Sequence, residues 1–170
     1  MKMLPKWWRR HFLFIELCLA VVLTGCFILW YVKFGGEAIL CSFLHGNRSS
    51  IYGTAASIFG SLLGFVITAT SIVLGFSTSD RLKVIRDSQQ FNTLWRVFSK
   101  TIWALGLATA TTFLALIFDR DSNPIPVLLF ASFFGITLSS FRLLRAIWVL
   151  ENVIALITMP AKQPQDNDAP

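Results

Sequence analysis

A chain of 170 residues has the length of one domain, yet 55% of it is hydrophobic, 14% is charged, and its mean hydropathy is +0.64. That balance excludes an ordinary soluble domain, in which about 25% of residues are charged. The net charge of +6 does not indicate a nucleic-acid binder, because the basic residues flank apolar stretches instead of sharing one patch.

The charges cluster, leaving four apolar stretches of about 18 residues or more, enough to cross ~30 Å of hydrocarbon. The expectation is an all-α polytopic membrane protein with spans at about residues 12–32, 52–76, 101–118 and 125–150. Its 1–160 segment then forms one four-helix transmembrane domain, followed by a disordered tail at 161–170.

The N-terminus is short and basic, with Trp7 and Trp8 suited to the headgroup region. Arg9-Arg10 begins a twin-arginine look-alike, and Leu23-Thr24-Gly25-Cys26 resembles a lipoprotein cleavage box. The apolar run continues past Cys26 to Val32, so an uncleaved first helix is expected. Gly35-Gly36 ends it, and Glu37–His45 has room for one or two turns of interfacial helix. Cys18, Cys26 and Cys41 show no metal or redox spacing and read as buried small hydrophobes.

The second span carries the most distinctive pattern. Thr54, Ser57, Ser61, Gly64, Thr68, Ser71 and Gly75 recur at alternating steps of three and four, which keeps them on one helical stripe. Such a stripe either lets helices approach closely or, when several copies face one another, lines a narrow wet path. Two further stripes follow: Ala104, Ala108, Thr111 and Ala115 in the third span, then Ser132, Gly135, Ser139 and Arg142 in the fourth.

Ser77–Lys100 holds Arg81, Lys83, Arg86, Arg96 and Lys100, a basic set placed to meet the lipid surface. The favoured reading extends both flanking helices into the cytosol, with a turn near Asp87–Gln90. The fourth helix stays compatible to about Thr158, longer than a bilayer needs, and should extend into the cytosol. With both termini inside, twelve of the fifteen Lys/Arg are cytoplasmic and three (Lys33, Arg48, Arg120) are outside, which supports an N-in, C-in topology.

Glu16 lies a few residues into the first span, where an ionisable group is costly. Arg142 and Arg145 of the fourth helix fall at a similar depth, so an ion pair with either, tying or gating the cytoplasmic end, is expected. Nothing reads as catalytic. His11 and His45 belong on opposite sides, and Asp80, Asp87, Asp119 and Asp121 read as solvated caps and loop charges. No enzyme activity, metal or cofactor is indicated.

The Gly/Ser/Ala-rich second span, the segment Asp80-Arg-Leu-Lys-Val-Ile-Arg86 and the short turn before the last helix resemble small four-helix bacterial inner-membrane proteins of the phage exclusion protein RexB type. The resemblance covers about residues 50–120. It implies a small oligomeric, ion-conducting protein that depolarises a membrane. The reading is therefore a homo-oligomeric pore of a bacterial inner membrane. Its rivals are a non-conducting subunit that docks a cytoplasmic protein and a proton-coupled exporter using Glu16. Membrane lipids are the other expected partners, with no nucleic acid.

Overall fold

The computed structural model describes residues 6–76, 89–121 and 124–158, and the side-chain surroundings of 12–72, 95–121 and 124–151. Five helices follow in order: α1 Lys6–Lys33, α2 Gly36–Leu44, α3 Arg48–Phe76, α4 Gln89–Phe118 and α5 Pro126–Thr158. No strand occurs among the described residues. Four helices, α1, α3, α4 and α5, are long and apolar enough to cross a membrane. The expected all-α architecture is present. The sequence-based turn near Asp87–Gln90, the basic residues Arg81, Lys83 and Arg86, and the tail at 161–170 lie outside the described residues, apart from the helical backbone at Gln89 and Gln90.

The helices run past the apolar limits read from the sequence. α1 begins at Lys6 instead of residue 12, α3 at Arg48 instead of 52, and α4 at Gln89 instead of 101. Hydropathy marks only the part that suits hydrocarbon. The polar residues beyond those limits include no proline or glycine to stop the backbone hydrogen-bond ladder. Two left-handed glycines punctuate the loop between α1 and α3: Gly35 (φ 68°) precedes α2, and Gly46 (φ 77°) follows it. Gly36 lies against the Trp30 ring, where a Cβ would come within 2.7 Å, so α2 folds back closely onto α1.

The four long helices form a row in the order α1, α5, α4, α3. α1 and α3, at the two ends of that row, do not pack along one another. α4 is central and presents two faces. Val97, Thr101, Ala104 and Ala108 turn toward α5, while Phe98, Leu105 and their neighbours meet Phe59, Leu62, Leu63 and Val66 of α3.

The small-residue stripes of α4 and α5 meet each other. The Gly135 position is so close that a Cβ would stand 3.0 Å from both Ala108 Cα and Thr111 Oγ1. On either side, Ser139 Oγ donates to the Ala104 carbonyl at 2.8 Å and Ser132 Oγ to the Thr111 carbonyl at 3.2 Å. Small residues allow the approach, and the approach brings hydroxyls to carbonyls that would otherwise face hydrocarbon. α1 joins the outer side of α5 through larger groups: Phe27 stacks on Phe133 at 4.4 Å, Tyr31 meets Phe130 edge-on, and Ala20 packs on Leu138.

Gly135 and Gly64 give a paired test of this packing. Gly135→Ala forces backbone apart at the α4–α5 contact and should destabilise the protein by about 1–3 kcal/mol. Gly64→Ala meets nothing within 4 Å and should leave stability unchanged or slightly raised, both read by thermal unfolding in detergent.

Candidate functional site

The α3 stripe lies outside this packing. Thr54, Ser57, Ser61, Gly64, Thr68 and Ser71 are all exposed, while α3 meets α4 through a different face. Gly75 belongs to the α3 backbone, beyond the residues whose surroundings are described. Thr68 and Ser71 donate to carbonyls one turn back, those of Gly64 and Ile67. The stripe therefore does not pack the helices of one chain together. That role falls to the stripes of α4 and α5.

Glu16 is buried in α1, at 7% exposure, and Arg145 Nε of α5 donates to its Oε1. The Arg145 guanidinium also stacks over the Phe12 ring, 4.1 Å from its centroid. Arg142, one turn earlier on α5, takes a different partner: its Nη1 donates to the Lys100 carbonyl of α4 at 3.2 Å. The Thr101 hydroxyl lies 3.3 Å from the Arg142 carbonyl, so α4 and α5 are cross-linked here in both directions. Glu16 Oε2 and Arg142 Nε are buried with no hydrogen-bond partner among the described residues. The two arginines thus have distinct roles: Arg145 meets the charge on α1, and Arg142 reaches across to α4.

The opposite end of the row holds a cluster that the sequence reading missed. Asp119, expected as a solvated loop charge, is only 2% exposed. Arg48 Nη1 donates to its two oxygens at 2.9 and 2.8 Å, the Tyr52 hydroxyl donates at 2.7 Å, and the Ile125 amide donates at 2.8 Å. Asp121 adds a salt bridge to Arg48 Nε at 3.3 Å and accepts from the Gly46 amide. The start of α3 is thereby clamped to the turn between α4 and α5. Arg48 and Tyr52 stand one helical turn apart, and that spacing beside two aspartates at the next span end was the available signal.

One other expectation needs correction. Cys18 and Cys26 are exposed and Cys41 is half-buried, so they are not core residues. Both exposed thiols lie on α1, which stands at the end of the row, packs chiefly on α5 and so leaves much of its surface outward. Arg96 and Lys100 are exposed on α4 at the end of the row where Glu16 and Arg145 meet. No group of acidic, His and Cys side chains suited to a metal occurs among the described residues.

The four long apolar helices are compatible, in length and composition, with a small multi-pass integral membrane protein. No protein family, curated protein or solved structure matches the chain.

The Arg48–Asp119 clamp makes a direct prediction. Asp119→Asn leaves the 7%-exposed Arg48 without its buried counter-charge and should cost about 3–5 kcal/mol. Tyr52→Phe removes one neutral donor to the same carboxylate and should cost about 1 kcal/mol. Chemical denaturation in detergent, with both variants beside the parent, measures the difference.

Proposed function

We propose that the protein works as a homo-oligomer in a bacterial-type inner membrane, with both termini cytoplasmic, and that it conducts ions passively. In this reading the α3 helices of several copies turn their Thr54–Gly75 stripes toward a shared, narrow, hydrated path. The observation that carries it is the outward placement of that stripe in the single chain. From Thr54 to Ser71 the line of small and hydroxylated residues runs for about 26 Å, close to the ~30 Å of a hydrocarbon core. A surface meant only for lipid gains nothing from such a run, and lipid-facing positions elsewhere in the chain carry Phe, Leu, Ile and Val.

The Glu16–Arg145 pair ties α1 to α5 at the end where the path would reach the cytosol, and there it acts as a steadying contact. That pairing makes the proton-coupled exporter less favoured, because the carboxylate is engaged by an arginine of the same chain. A docking subunit is the second reading. It rests on the 30- and 33-residue lengths of α4 and α5, which exceed the roughly 20 residues a bilayer requires. In that reading the Arg81–Arg96 segment, described from Gln89 onward, and the Ala146–Thr158 end of α5 meet a cytoplasmic protein. The resemblance of residues 50–120 to the RexB group is what implies the depolarising role in the first reading.

Ion flux through liposomes containing the purified protein tests the proposal. The parent should conduct, and a folded Ser61→Leu/Thr68→Leu variant should lose most of the flux. Glu16→Gln should retain conduction in a passive pore, whereas proton-coupled transport would disappear. A well-folded oligomer that passes no ions at any potential sinks the pore and leaves the docking subunit.

A further inference from the structure

We infer that the groove between α4 and α5 at the end bearing Arg142 is a binding site for one anionic phospholipid, with Arg142 and Lys100 holding its phosphate. The inference concerns a different face of the molecule from the α3 stripe and does not depend on ion conduction.

The first support is an imbalance of charge. Arg145 already engages Glu16, the buried carboxylate at this end. Arg142 lies within the field of the same carboxylate, but its side-chain hydrogen bond goes to a neutral partner, the Lys100 carbonyl, and its Nε is buried with no acceptor among the described residues. The Nη1 side of the same guanidinium lies in an exposed contact. Lys100 and Arg96 are exposed, and neither they nor Arg142 form a salt bridge among the described residues. Arg142, Lys100 and Arg96 thus lie at one end of two packed helices, and among the described residues the carboxylate that acts on Arg142 there is Glu16, already engaged by Arg145. A guanidinium with donors to spare, bonded to the backbone of a residue whose own ammonium is exposed, suits a phosphate, whose oxygens can accept from both. Basic pockets between membrane helices are known to hold lipid headgroups by this chemistry.

The second support is the polarity profile along α4. Arg96, Lys100, Trp103 and Leu107 follow at steps of four, three and four, and all four are exposed on one stripe. Two basic residues come first, then a Trp at 76% exposure, then an aliphatic side chain. Over about 16 Å the stripe passes from cation to indole to hydrocarbon. A phospholipid presents the same sequence from phosphate through the glycerol-ester region to the acyl chain. A soluble phosphate would use only the first part of that stripe.

The test is thermal unfolding of the full chain in neutral detergent while phosphatidylglycerol is titrated in, beside phosphatidylcholine and inorganic phosphate. Phosphatidylglycerol should raise the unfolding temperature in a saturable way, and the other two should not. Lys100→Gln and Arg142→Gln should each weaken the apparent affinity about tenfold, the loss of one charge-assisted hydrogen bond. Arg120→Gln, which removes an exposed charge from the opposite end, should bind as the parent does. The inference is overturned if both groove variants bind phosphatidylglycerol like the parent, or if Arg120→Gln weakens it equally. It is also overturned if inorganic phosphate stabilises the protein as well as the lipid does. Should Arg142→Gln fail to fold, Lys100→Gln decides alone, since the Lys100 side chain makes no hydrogen bond among the described residues.

Discussion

The close approach of α4 and α5 at Gly135 is the constraint on which the rest of the structure depends. With a Cβ excluded at 3.0 Å from Ala108 Cα, the two backbones come near enough for Ser132 and Ser139 to reach carbonyls of the neighbouring helix. Hydrocarbon offers no solvent to satisfy those groups, and lipid tails provide no hydrophobic drive to bring helices together. Contact area and hydrogen bonds must therefore come from the same small residues. Once α5 is fixed against α4, its other side is available to α1, and the far face of α4 to α3.

Charge then locks the row at both ends, in two different ways. At the loop end, Asp119 is satisfied by donors from a guanidinium, a phenol and a backbone amide, all of them within the chain. At the other end, Glu16 and Arg142 each keep a buried atom without a partner. A fully satisfied buried network favours one rigid arrangement, whereas a partly satisfied one carries a standing cost. The loop end is accordingly the static clamp. The opposite end keeps unused bonding capacity, and the lipid site is inferred there.

The membrane class was legible in the sequence because it depends on composition along single segments. Four apolar runs needed no knowledge of which helix touches which. The stripes were legible as stripes, since steps of three and four define a face. Their partners were not. Nothing local distinguishes Ser139, which finds a carbonyl across the α4–α5 contact, from Ser61, which faces outward. The same holds for Asp119, whose counter-charge at Arg48 is 71 residues away. An aspartate in a short connection ordinarily reads as solvated, and only the folding of α3 against the α4–α5 turn removes its water. For Glu16, the depth of the charge pointed to both Arg142 and Arg145. The rotation of α5 gives the carboxylate to Arg145 and turns Arg142 toward α4.

The position of α1 at one end of the row has a consequence for how the chain is made. Its long-helix neighbour is the last helix in the sequence, and Glu16 and Arg145 are separated by 129 residues. At synthesis rates of ~5–20 residues per second, the first helix waits for roughly ten seconds before its partner exists. During that interval Glu16 has no Arg145 to pair with, while α3 and α4 are free to associate first. The earliest segment to enter the membrane is thus the last to find its place.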